Sequence, residues 1–320
     1  YEPNAYRSSD HDPVLVGLDL GAVEERDVVR LAGENRYETA AAVAQQYEPG
    51  VGTVFIATGD RFPDALTGSA KAGSINAPVL LTRSDLLVSA TRAELERLTP
   101  ARVVLLGDEN AIDATVEAQV AALVGAGTEV ERWAGDNRYE TAAAVSAHFE
   151  ASDVVYVAIG EDFPDALAGS ARAGALDAPV LLVKEDAVPS ATRGELERLD
   201  PSVVRVLGDR VTQDVLDTLA GYGDVERIYG ENRYETAVEI SQDYDSNDQA
   251  FVVNGLKWPD AVTAAALAAR EEAPVLLTQQ HNLPLVTEVE LRRLDPETIW
   301  VLGDELSVSE QVEQELRLLP

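Results

Sequence analysis

The chain has 320 residues, 46% of them hydrophobic, no cysteine and a formal net charge of -32. That length predicts about two or three domains, with apolar content ample for buried cores. The lack of cysteine excludes disulfides, thiolate metal sites and thiol nucleophiles, and the acidic balance argues against nucleic-acid binding by phosphate neutralisation, which needs a concentrated basic surface.

Along the chain, Asn35 is placed to cap a helix, Arg36–Tyr47, that sets Tyr37, Ala40, Ala41, Ala44 and Tyr47 on one face. Thr53–Thr58 is apolar and β-branched, the pattern of a buried strand, and Gly59-Asp60 closes it with a turn. Pro63 suits the first turn of a helix running to Ser74, where its missing donor costs little. Val79–Thr82 is the next strand, entered from Pro78. A helix capped by Ser89 follows, in which Glu94, Arg97 and Leu98 divide polar from apolar faces, and Pro100 stops it. Arg102–Leu106 reads as a strand ending at Gly107, Ile112–Leu123 as an amphipathic helix, and Val130–Trp133 as a final strand. No apolar run approaches the roughly 20 residues that cross a bilayer, so no membrane insertion is expected.

This pattern then repeats. Gly33-Glu34-Asn35-Arg36-Tyr37-Glu38-Thr39-Ala40 returns from Gly135 to Ala142 and from Gly230 to Ala237. Phe62-Pro63-Asp64-Ala65-Leu66 returns as Phe163–Leu167 and as Trp258–Val262; Ala77-Pro78-Val79-Leu80-Leu81 returns at Ala178 and Ala273; Leu106-Gly107-Asp108 returns at Leu207 and Leu302. Short apolar strands alternating with helices imply parallel strands, right-handed crossovers and helices on both sheet faces. The fold class is therefore α/β: three tandem Rossmann-like or Toprim-like units, over residues 21–128, 129–224 and 225–320. At this size each copy is expected to hold its own core.

In these four blocks the sequence resembles the type 2 cell-wall-binding repeat family, whose members carry three tandem copies. The resemblance covers nearly the whole chain, from Arg30 onward. It implies a protein held non-covalently at the outer surface of a cell envelope, its copies packed about a pseudo-threefold axis and gripping an anionic wall polysaccharide. The third copy departs from the pattern. Lys71 and Arg172 give way to Leu267, and the Thr-Arg pairs at Arg92 and Arg193 become Thr287-Glu288, so ligand contacts by those cations are expected in copies one and two only.

At the front, Ser9-Asp10-His11-Asp12-Pro13-Val14 resembles the terminal strand motif of the endonuclease/exonuclease/phosphatase superfamily. The resemblance implies that residues 1–20 are the tail of an upstream nuclease-like domain, with His11 as general base and Asp10 orienting it or helping to hold a metal. The rest of such a domain does not fit in 20 residues, so no phosphodiesterase activity is expected of this fragment. The missing Met at position 1 likewise marks a piece whose start lies upstream.

Arg36, Arg138 and Arg233 recur at a helix start, where a cation opposes the helix dipole and needs another reason to be there. They are expected to contact an anion, to pair with Asp64, Asp165 or Asp260, or to fix one copy against another, the latter two being favoured. Those aspartates are weak metal candidates, since Asp60 is matched by Glu161 and then Leu256, and calcium needs six or more oxygens. No nucleotide-binding glycine motif is present, His148 and His281 fall at non-equivalent positions, and no cofactor is expected. Only three of the 25 basic residues are lysine, which suits bidentate oxyanion recognition or a surface adapted to high salt. An anionic partner for so acidic a chain requires local arginine clusters, bridging divalent cations or high salt.

Overall fold

A computed structural model describes residues 25–319 apart from Phe163, so Asp10, His11 and the whole front motif lie outside the described residues. The first copy runs β1 (Asp27–Leu31), α1 (Arg36–Ala44), β2 (Thr53–Thr58), α2 (Pro63–Ser74), β3 (Val79–Thr82), α3 (Ser89–Leu98), β4 (Arg102–Leu106) and α4 (Ala114–Val124). The second runs β5 (Glu129–Trp133), α5 (Arg138–Ser146), β6 (Val154–Ile159), α6 (Pro164–Ala175), β7 (Val180–Val183), α7 (Ser190–Leu199), β8 (Val203–Leu207) and α8 (Gln213–Leu219). The third runs β9 (Asp224–Ile228), α9 (Arg233–Ser241), β10 (Gln249–Asn254), α10 (Trp258–Arg270), β11 (Val275–Thr278), α11 (Leu285–Leu294), β12 (Thr298–Leu302) and α12 (Glu310–Arg317).

Local chemistry accounts for most boundaries. Asn35, Asn137 and Asn232 are extended N-caps whose side chains accept from the second and third amides of α1, α5 and α9, and the Glu three residues on accepts from the backbone amide before each cap and from the cap's side-chain amide. Two expectations shift. Ser89 is the first helical residue and makes no capping bond, and α4 starts after Asp113, whose carboxylate accepts from the Val116 amide at 2.9 Å.

All three sheets are parallel and four-stranded, in the orders β3-β2-β4-β5, β7-β6-β8-β9 and β1-β12-β10-β11. The strand that precedes each Arg-Tyr-Glu-Thr helix is therefore laid into the sheet of the copy before it. The ring closes on itself, because β1 pairs with β12 from Asp27 opposite Thr298 to Leu31 opposite Leu302. Arg26 reinforces that closure by donating to the Pro296 carbonyl at 2.7 Å and pairing with Asp295.

Helices α2, α6 and α10 pack on one another at the centre. Every residue of α10 from Pro259 to Ala269 is buried, the signature of a helix surrounded by protein. Small side chains set the approach. A methyl at Gly174 would stand 2.8 Å from both the Ala269 methyl and the Ala70 carbonyl oxygen. The inner faces consequently merge into one core running through all three copies, from Phe55 and Leu66 to Leu167 and on to Leu267 and Leu277. Only the outer layers of copies two and three form separate clusters. The expected three independent cores are thus replaced by one shared interior, because the axial helices have no polar side to turn outward.

Gly174→Ala is expected to destabilise by about 1–3 kcal/mol through overpacking. Gly194→Ala, inside α7 where an added methyl meets nothing within 4 Å, should instead stabilise by about 0.5–1 kcal/mol through helix propensity. Urea unfolding of the two variants checks the pair.

Candidate functional site

The recurring blocks converge where one copy meets the next, at the carboxyl ends of the strands, the usual crevice of open α/β sheets. Block two supplies an aspartate at the start of the axial helix and block four supplies a glycine with positive φ, 95° at Gly107, 85° at Gly208 and 93° at Gly303. A side chain on any of these glycines would collide with the Asp64, Asp165 or Asp260 carboxylate, so the left-handed turn and the aspartate require each other. The following copy contributes the amino end of its first helix, with Asn137, Arg138 and Thr141 facing Asp64 and Asp108 across the boundary.

Burial raises the carboxyls of Asp64, Asp165 and Asp260 above the ordinary aspartate range, and the neighbouring Asp108, Asp209 and Asp304 push in the same direction. Opposing them are Arg61, Thr141 and Arg138 at Asp64, Thr236 and Arg233 at Asp165, and Ser307, Lys257 and Arg36 at Asp260. Arg36, Arg138 and Arg233 do not form the expected ion pairs with the aspartate of their own copy. Each donates to the carbonyl of Gly59, Gly160 or Gly255 at the end of its own copy's first buried strand, while its charge acts on the aspartate of the copy before. Their guanidiniums also approach a neighbouring copy's aromatic ring, Arg36 at 5.9 Å from Trp258 and Arg138 at 5.9 Å from Phe62. They are therefore inter-copy groups held by a backbone carbonyl, and Arg36 and Arg138 also line the cleft at their boundary.

Lys71 and Arg172 lie elsewhere, on the axial helices. Lys71 sits 4.1 Å from the centre of the Phe149 ring and 3.6 Å from Asp177, both of copy two. Arg172 sits 4.5 Å from the Tyr244 ring and 3.1 Å from Asp243, both of copy three. The third boundary keeps this brace despite Leu267, because Arg270, one helical turn on, lies 4.4 Å from the Tyr47 ring and donates to the Gln46 carbonyl at 2.8 Å. Copy three is thus no exception, and these cations are engaged in closing the ring. Arg92 and Arg193 are exposed on α3 and α7; Arg193 donates to the Val188 carbonyl at 3.0 Å. Among the described residues, no three His, Asp or Glu side chains are grouped to hold a metal ion.

Residues 30–117, 132–213 and 227–313 match the model of the cell wall binding domain 2 family. The chain belongs to that family. The N-acetylmuramoyl-L-alanine amidase LytC of Bacillus subtilis is 29% identical over 299 residues, which are 92% of this chain and 59% of that protein. The amidase enhancer of the same organism is 30% identical over 90% of this chain and 40% of its own length. Among solved structures, Cwp6 from Clostridium difficile superposes with a TM-score of 0.85 at 25% identity, over 92% of this chain and 49% of that one. Cwp8 gives 0.82 over 53% of its chain. The chain thus spans roughly half the length of the relatives it matches. It is a cell wall binding module of three repeats, and no helix among the described residues is long and apolar enough to cross a membrane.

Two further sets of arginines hold this module together and went unassigned in the sequence. Arg97, Arg198 and Arg293 donate to the last carbonyls of α1, α5 and α9, at Ala44, Ser146 and Ser241, while paired with Glu94, Glu195 and Glu290 three residues before. Arg30, Arg132 and Arg227 reach from the borrowed strand to the carbonyls of Gly303, Gly107 and Gly208. The repeated Glu-x-x-Arg spacing was visible as a pattern; the carbonyl targets, some 50 residues distant, were not. His148 is exposed and stacks on Trp133 at 3.6 Å.

Because folding raises the Asp260 carboxyl, its protonated form is the one the fold favours. Stability from this group is lost as pH rises from the unfolded aspartate value, about 3.9, through the folded one. Asp260→Asn, which keeps an acceptor for the Ser307 hydroxyl, is expected to unfold at higher urea than wild type near neutrality. The difference should shrink as pH falls toward that unfolded value, as paired urea titrations would show.

Proposed function

We propose that this module holds a surface or secreted protein on the cell envelope by gripping an anionic wall polysaccharide in the clefts between copies. The observation that carries this reading is the convergence of three of the four recurring blocks, drawn from two copies, on each boundary. A scaffold needs the axial helices and the braces. It does not need a guanidinium lining a crevice at the strand ends, as Arg36 and Arg138 do. Arg36 and Arg138, each held by a glycine carbonyl, line these clefts and can donate to polymer oxygens there. For a chain of net charge -32, divalent cations or high salt assist that encounter.

The relatives named as an amidase and an amidase enhancer extend well beyond the shared region, and we take the shared region as their wall-binding part. In this protein the motif around Asp10 and His11 makes the cargo a nuclease- or phosphatase-like domain upstream, so the anchored activity would be phosphodiester hydrolysis at the cell surface. The histidines of the repeats, His148 and His281, fall at non-equivalent positions.

The purified chain is expected to sediment with isolated Bacillus subtilis walls and to stay in the supernatant once their secondary polymers are stripped with hydrofluoric acid. Failure to sediment with untreated walls in low and in molar salt, with and without magnesium, would overturn the anchor.

A further inference from the structure

The three boundary clefts hold equivalent places in the fold but different chemistry. Between copies one and two the cleft measures about 190 Å³ and is walled by Arg61, Asp64, Asp108, Asp136 and Arg138. In copy two the turn from Gly208 to the helix cap Thr212 is shorter than its counterparts, Gly107 to Asp113 and Gly303 to Ser309. Arg210 there bridges Asp162 at 2.9 Å and Glu185 at 3.5 Å, within copy two and close to Asp165.

Between copies three and one the cleft opens to about 330 Å³, the size of a small ligand pocket. Its lining has changed in one direction. Leu256 replaces Asp60 and Glu161, Trp258 replaces phenylalanine, and Leu306 replaces Asn110. Leu256 is 61% and Leu306 67% exposed, and the half-buried Trp258, whose ring lies 5.9 Å from the Arg36 guanidinium, lines the same cleft. Single exposed leucines need no explanation, but two of them meeting a tryptophan in one crevice form a shaped apolar surface. The Lys257 ammonium donates to the Leu306 carbonyl at 2.6 Å, so it ties the two leucine-bearing loops together. The Asp260 and Asp304 carboxylates share the cleft with the cations Arg36 and Lys257 and with the uncharged Asn35, Thr39 and Ser307.

We propose that this cleft is a subsite for one uncharged hexose ring of the wall polymer. The apolar C–H face of the ring lies on Trp258, Leu256 and Leu306; its hydroxyls donate to Asp304, and Arg36 donates to a ring or substituent oxygen. The cleft between copies one and two holds the same aspartate pair, at Asp64 and Asp108, so what sets this cleft apart is its apolar wall, which favours an uncharged ring over a hydrated phosphate. The inference rests on the reading that wall polymer enters the boundary clefts. It adds that this chain takes a ring of this type once, and not at three equal sites.

The full chain would be titrated with oligosaccharides released from Bacillus subtilis walls by partial acid hydrolysis and separated into neutral and phosphate-bearing pools, following tryptophan emission and heat. The neutral pool is expected to shift the emission and saturate at one equivalent per chain. Trp258→Ala and Leu256→Asp should weaken it by about tenfold each, the scale of one lost aromatic or apolar contact. Trp258→Phe, the residue of copies one and two, should bind nearly as wild type but lose most of the emission shift. Circular dichroism confirms that each variant is folded. Emission that responds only to the phosphate-bearing pool, no binding of the neutral pool, or alanine and aspartate variants that bind it as wild type would overturn the subsite. If those results came with wild-type sedimentation on walls, the anchor would stand without this subsite; loss of sedimentation by the wild type would sink the anchor itself.

Discussion

The close approach of α2, α6 and α10 is the constraint on which the rest of the molecule depends. Helices that meet backbone to backbone need glycine and alanine at the contact, and Gly73, Gly174, Ala266 and Ala269 provide it. Once those helices are locked, the three sheets have only one way to face the axis, and their inner faces share one interior. The small residues contribute little apolar area individually. Their value lies in the distance they permit, because dispersion and exclusion of water both depend on near-contact packing.

Around that axis, each copy is completed by the next. The borrowed strand supplies the fourth position of every sheet, and arginines on it tie down the left-handed turn of block four. Cations on the axial helices rest on aromatic rings across each boundary, and the third boundary achieves this with a residue one turn displaced. Because the first strand of the chain pairs with the last, every sheet takes its fourth strand from a neighbouring copy and no copy's sheet is complete alone. The same closure brings the amino end of one copy's first helix over the strand ends of its neighbour, and the clefts exist because of it.

Symmetry in the scaffold has not enforced symmetry in the clefts. The cleft between copies one and two is charged, whereas that between copies three and one is broader and has an apolar wall. The arginines of the helix starts and of the borrowed strands recur in all three copies and the axial brace recurs one turn displaced, whereas Leu256, Trp258 and Leu306 have diverged. A polymer ligand suits this division: weak contacts at separated points on one rigid body add through effective concentration without any one cleft binding tightly.

Much of this was legible in the letters. Apolar runs of strand length, Asn caps followed by Glu, and proline at the first turn of α2 fix local structure through nearest neighbours, and threefold recurrence fixes the architecture. Family membership followed from the same four blocks. What the sequence could not hold was partnership across copies. Arg36 and Asp64 looked like a pair because both recur in one copy, yet the strand exchange puts each beside the neighbouring copy's counterpart. Leu267 looked like a lost cation until the helix geometry placed Arg270 over Tyr47. The sequence determines which segments are helix or strand because those choices are made within a few residues. Which side chains share a cleft was decided only by tertiary structure, since it depends on how helices from different copies pack around a common axis.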